Sequence, residues 1–309
     1  MILIRDTGRS NYTRGDGMRI LPALLVALLL ISGAVSQNVS ENVSAANESV
    51  SVAQNAQLAL ILDITAPPEG DGREYVINYT TEILNILDPR EINFTVLTTG
   101  DLAADNEYTL FITRVGARAN HEMAMNGPGG GNLSMGDIRK AKREVENCYI
   151  CGTEKKSVTG YRPSEKINES DFAIFEGLGI RYIIDDGMYF STNASRPYML
   201  DNTTLYVVPV TAITSDSETI VLSDRRAVGM NMSGDEWYSL LSRGMDDAMS
   251  RGEPVVVLIT SYISGSGDYL GALEMFVNDA SERGMSFVKV SDLLEQSKPA
   301  PTLMAAALL

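Results

Sequence analysis

From Ala56 to about Leu294 the chain alternates short runs of β-branched and aliphatic residues with longer stretches in which apolar positions recur at helical spacing. Gln57 to Asp63 reads as a buried strand. Tyr75 to Leu87, which places Val76, Ile83, Leu84 and Leu87 on one face, reads as a helix. The same alternation predicts strands over 92–98, 121–125, 158–162, 181–184, 205–212, 254–259 and 286–290. It predicts helices over 106–119, 137–147, 169–178, 234–251 and 270–283, with Gly179 closing the fourth strand–helix unit. Repeated strand–helix units with no internal break imply one α/β domain on a mostly parallel sheet. A closed or nearly closed barrel is the natural solution, because it buries both faces of every strand.

The flanks read differently. Arg19 precedes an apolar run from Ile20 to Ile31, followed by Ser32, Gly33, Ala34, Val35 and Ser36, the small-residue pattern of a cleaved leader. That run is too short to span a bilayer. Met18 followed by Arg19 reads as the natural start, which leaves residues 1–17 as an extension and 18–36 as a signal peptide. Residues 37–56 are rich in Ser, Asn, Val and Ala without periodicity and read as a solvated linker. Residues 57–295 form the domain, and 296–309 a tail that is also too short for a membrane anchor.

Ten Asn-x-Ser/Thr sequons lie after that leader, at Asn38, Asn42, Asn47, Asn78, Asn93, Asn132, Asn168, Asn193, Asn202 and Asn231. So dense a set in an exported chain predicts an N-glycosylated protein outside the cell or on its surface. A formal net charge of −15 argues against nucleic acid, whose phosphates require clustered Lys and Arg. Acidic composition and sequons together suit a cell-surface setting such as an archaeal envelope. The two cysteines, Cys148 and Cys151, are spaced Cys-x-x-Cys, and an oxidising compartment predicts a local disulfide between them. A zinc half-site would need further Cys or His ligands, which the chain lacks; a redox motif would be expected to open a helix rather than follow one.

Several segments, taken in order, resemble the polysaccharide deacetylase (NodB-homology) family. Ile61-Leu62-Asp63-Ile64-Thr65 is similar to its first strand motif, and Thr95-Val96-Leu97-Thr98-Thr99-Gly100 followed by Asn120-His121-Glu122-Met123-Ala124-Met125-Asn126-Gly127 to its second. Gly160-Tyr161-Arg162-Pro163-Ser164 resembles the third, and Asp185-Asp186 stands where the fourth keeps aspartates. The strand Pro254 to Ser261 and the run Gly284 to Leu294 complete the series. The resemblance implies a distorted (β/α) barrel and the removal of acetyl groups from N-acetylated glycans with a divalent metal.

The resemblance also implies which residues should do the chemistry, and several are missing. The metal aspartate falls on Ile64, the first metal histidine on Asn126, the second near Gly130, and the acid histidine on Thr260 or Ser261. Isoleucine ligates nothing, and an amide oxygen is a poor ligand for zinc. Asp63 remains at the base position and Arg162 at the position that tethers it, with Asp185 or Asp186 as the arginine's partner. His121, Glu122, Asn126, Tyr161 and Asp186 are the candidate binding residues, His121 matching the family's supporting histidine.

The expectation is an exported deacetylase-like glycoprotein with no metal cofactor and no standard deacetylase activity, binding a glycan or an envelope partner. The alternative is an active carbohydrate N-acetyl deacetylase with a rearranged site. There Asp63 would be the base and acidic residues would hold the metal; in a separate reading, Asp63, Asp185, Asp186 and Glu122 offer oxygens to a hard cation such as Ca²⁺ or Mg²⁺, without the imidazoles that the hydrolysis uses.

Overall fold

The structure is a computed structural model that describes residues 56–67, 72–127, 134–151, 154–187, 190, 194–215 and 218–297. The expected signal peptide, the linker up to residue 55 and the tail from residue 298, with the sequons at 38, 42, 47, 132 and 193 and the loop after Gly127, lie outside these residues; residues 296 and 297, expected in the tail, continue the last helix.

Thirteen strands are described: β1 (Gln57–Ile64), β2 (Phe94–Thr98), β3 (His121–Asn126), β4 (Ile150–Cys151), β5 (Glu154–Lys155), β6 (Gly160–Arg162), β7 (Tyr182–Asp185), β8 (Tyr198–Met199), β9 (Tyr206–Pro209), β10 (Ala212–Ser215), β11 (Glu218–Val221), β12 (Val255–Thr260) and β13 (Ser286–Val288). Nine form one sheet in the order β12-β1-β2-β3-β6-β7-β9-β8, with β13 also on β1. All of these pairings are parallel except that of β8 with β9. From Leu58 to Ile64, β1 is buried at every residue, which is what a strand covered on both faces requires. Helices such as Gly72–Leu87, Met135–Cys148, Gly234–Arg251 and Gly267–Glu282 supply that cover. Trp237, Phe94, Phe175 and Phe276 are fully buried between the layers.

The sheet curls into an incomplete barrel. Between β9 and β12 the gap is bridged by the feet of the β10–β11 hairpin. The Thr211 amide donates to the Val256 carbonyl at 2.9 Å, and the Val256 amide donates to Thr211 Oγ1 at 2.8 Å. On the hairpin's return, the Leu258 amide donates to the Leu222 carbonyl at 3.0 Å. Because the large sheet is parallel, Asp63, Thr98, Asn126, Arg162, Asp185 and Thr260 all stand at the C-terminal rim, where barrel and open α/β sites are built.

Several elements depart from the periodicity. The helix expected over 106–119 is the shorter Thr109–Gly116, and a further helix, Gly100–Ala104, precedes it; Asp105 between them is extended and its side chain takes the Glu107 amide at 2.9 Å. The strand expected over 205–212 ends at Pro209, and the β10–β11 hairpin follows. Three helices, Asp224–Gly229, Ser261–Ser264 and Val290–Ser297, carry no long periodic signal; the last cuts short the strand expected over 286–290. Clear caps mark other helices: Ser233 and Glu236 form a capping box, and Gly252 closes the same helix in the left-handed region at φ 62°.

Candidate functional site

At the rim, side chains from three elements converge on Asp63, which has no exposed surface. Asn126, ending β3, donates its amide to Asp63 Oδ1 at 2.5 Å. An amide flipped the other way would set two oxygens against each other at that distance, so the chemistry fixes its orientation. Arg225 donates through a terminal nitrogen to Asp63 Oδ2 at 2.9 Å, and Arg162 stands 3.6 Å from the same oxygen. Arg162 in turn donates to Asp186 Oδ2 at 2.5 Å. Two aspartates and two arginines therefore alternate in one network, which is how charges persist below the surface.

Arg225 has no counterpart among the residues singled out in the sequence. It sits in the first turn of the short helix Asp224–Gly229, and that helix is pinned by Asp224, which is wholly buried. Asp224 Oδ2 accepts the Thr260 amide at 2.6 Å and the Ser264 hydroxyl at 2.8 Å, while its other oxygen has no hydrogen-bond partner. Burial pushes the Asp224 carboxyl up to about 6, against the hydrogen bonds from Thr260 and Ser264 that hold it down. Thr260 thus takes a place expected of an acid histidine and uses it differently: its hydroxyl accepts Arg225 Nε at 3.1 Å. The guanidinium also lies over the Tyr262 ring, 5.8 Å from its centroid. A Ser-Asp pair ahead of two arginines was the only sequence signal for this arrangement.

The divalent metal implied by the resemblance does not fit these residues. Both carboxylate oxygens of Asp63 are already engaged, one by an amide and one by guanidinium groups, and the side chain is closed to solvent. A cation placed there would meet two fixed positive charges. Ile64 is a buried aliphatic residue, and no group of three or more His, Cys, Asp or Glu among the described residues could hold a metal ion.

The remaining predicted residues scatter. His121 begins β3 and Asn126 ends it, so the histidine lies at the far end of the strand from the rim. Its Nδ1 meets the Val115 carbonyl at 2.8 Å, its ring centroid lies 4.0 Å from that of Phe94, and burial lowers its pKa to about 4. Glu122, the next residue on β3, caps the last helix instead of the site. Its Oε2 accepts the Ser291 amide at 3.0 Å and the Thr95 hydroxyl at 3.1 Å, while Thr95 Oγ1 accepts the Val290 amide at 3.0 Å. Burial raises the pKa of its carboxyl, and among the described residues it joins no metal-holding group with Asp185 and Asp186. Tyr161 is buried against Phe175, with ring centroids 4.8 Å apart. Its hydroxyl lies where a Cβ on Gly127 would fall, 2.5 Å away, so that position needs glycine. Of the paired aspartates, Asp186 takes Arg162, and Asp185 Oδ1 accepts the Gly187 amide at 3.2 Å.

Cys148 is a free, buried thiol 3.5 Å from the Ala103 carbonyl. The Cys151 side chain lies outside the described residues, so the expected bridge is not part of the described structure. Of the described sequon asparagines, Asn78, Asn168, Asn202 and Asn231 are exposed. Asn93 is half-buried and gives its amide to the Phe287 carbonyl at 3.2 Å, which leaves it poorly placed to accept a glycan.

Beside the network lies a cleft of about 820 Å³ along the seam, lined by Asp185 from the rim, by Arg225 and Arg226 of the short helix, and by Thr211, Thr214 and Glu218 from the hairpin side. No helix among the described residues is long and apolar enough to cross a membrane.

No protein-family model and no curated protein matches the chain in sequence. Solved structures match its fold. A polysaccharide deacetylase structure from Pseudomonas aeruginosa PAO1 aligns with a TM-score of 0.60 at 14% identity, over 79% of this chain and 91% of that one. One from Mycobacterium smegmatis aligns with a TM-score of 0.58 at 16% identity, over 83% and 96%. The PuuE allantoinase aligns with a TM-score of 0.60 at 14% identity, over 79% and 90%. The chain therefore has the polysaccharide deacetylase fold, and that fold carries more than one named activity.

Proposed function

We propose that this chain is an exported, N-glycosylated protein that binds a surface glycan or an envelope partner and lacks metal-dependent deacetylation. One observation carries the reading: the carboxylate that would serve as base is enclosed and held by Asn126, Arg162 and Arg225. A general base must reach the proton it abstracts, and this one has no exposed oxygen and, among the described residues, no neighbouring metal ligand set. The adjoining cleft is within the size range of small-ligand sites, and its hydroxyl, carboxylate and guanidinium lining suits a polyhydroxylated ligand. Sequons on exposed turns at Asn202 and Asn231 support export.

The test is elemental analysis of the purified protein together with acetate release from chitooligosaccharides and peptidoglycan. The expected result is no stoichiometric metal and no acetate. Bound zinc with acetate release that Asp63→Asn abolishes would establish the alternative, an active N-acetyl deacetylase with a rearranged site.

A further inference from the structure

We infer that Arg225 is the built-in cation of the Asp63 centre, supplying from the Thr260 side the positive charge that a metal enzyme would draw from its ion. The inference rests on the reading that the site works without metal, and it names what replaces the ion.

The geometry carries it. Arg225 gives one terminal nitrogen to Asp63 Oδ2 at 2.9 Å and its Nε to Thr260 Oγ1 at 3.1 Å. One edge of the guanidinium is thereby committed to the ends of β1 and β12. Arg162 alone does not complete the centre: it lies farther from Asp63, at 3.6 Å, and is bonded to Asp186 at 2.5 Å. Removing Arg225 would leave a buried carboxylate sharing its other arginine with a second carboxylate, which is costly.

The arginine is also held in place from below. Asp224 binds the Thr260 amide and the Ser264 hydroxyl and so anchors the start of the helix that carries Arg225. Unlike a diffusible ion, this cation is delivered by folding and cannot be chelated away. Its side chain is 36% exposed, whereas Asp63 is enclosed, and it lines the cleft. Ligand acceptor oxygens entering the cleft would meet this guanidinium beside Asp63.

The test uses the full chain, stripped with chelator, and zinc as the probe. The wild-type protein is expected to give no zinc-binding heat and no change in melting temperature at millimolar zinc. Ile64→Asp with Asn126→His restores two ligand types. In that background, Arg225→Gln is expected to tighten zinc binding by about tenfold or more, because a fixed positive charge has been removed, and Arg225→Lys is expected to reverse the gain. Equal zinc affinity with and without Arg225 would overturn the inference and leave the proposed function standing. Stoichiometric zinc on the wild type, lost with Asp63→Asn, would overturn both. Should the ligand-restored background fail to fold, a double-mutant cycle of Asp63→Asn and Arg225→Gln decides. Strong coupling supports the pair, and additive losses refute it.

Discussion

Asn126 and Asp63 are joined side chain to side chain at 2.5 Å, although β2 lies between the strands that carry them. The contact is made over the end of β2, so the amide ties the rim together where the resemblance would place a metal. Asn126→Ala should leave a buried carboxylate oxygen without its donor and cost about 1–3 kcal/mol. Asn126→Asp should cost more, since it sets a second negative charge against the first. Urea denaturation of the two variants checks the order; equal losses would mean that Asp63 does not depend on this donor.

Asp224 titrates in the unfolded chain near its ordinary value of 3.8 and in the folded protein at about 6. Between these values the folded state binds more protons, so this group makes stability fall as pH rises from about 4 to 6, by about 3 kcal/mol in total. Above that window the penalty is constant. Asp224→Asn should flatten this slope while keeping an oxygen for the Thr260 amide, as measured by chemical denaturation across the window.

His121 works in the opposite direction. Its folded pKa of about 4 lies below its ordinary 6.5, so the unfolded chain takes up the proton first. Stability contributed by the neutral ring is present above pH 6.5 and is lost as pH falls towards 4, again on the order of 3 kcal/mol. Histidine resonances followed by NMR would give the value directly, since the chain has a single histidine. A ring titrating near 6.5 would place it outside the core.

Glu122→Ala removes the acceptor for the Ser291 amide and a partner of Thr95. The helix Val290–Ser297 should lose its N-terminal anchor, and its amides should exchange faster while those of β12 remain protected. Hydrogen-exchange mass spectrometry reads the difference.

Much of the scaffold was legible because buried parallel strands leave near-continuous apolar runs, as in β1 and β12, and their helices leave clear periodicity. Asp63, Asn126 and Arg162 were singled out through the resemblance, and each stands at or next to the end of a strand. Arg225 was not. Its partner is 162 residues away, and nothing in a short polar helix tells which strand end it will face. His121 and Glu122 misled for a related reason: residues adjacent to a motif share its strand, yet β3 carries them to the other end. Asp185 and Asp186 were indistinguishable in sequence, and the folded chain gives them different partners, the Gly187 amide for the first and Arg162 for the second.

The hairpin feet that bridge β9 and β12 give the barrel a parting line. Thr211 and Leu222 hold the two edges by a few bonds where a full strand would hold them by a ladder. The cleft opens along that line, while Asp63 sits one strand further in, on β1. Lengthening or shortening the β10–β11 hairpin would therefore resize one wall of the binding surface, while Arg225, which lines the same cleft, ties that surface to the charge network.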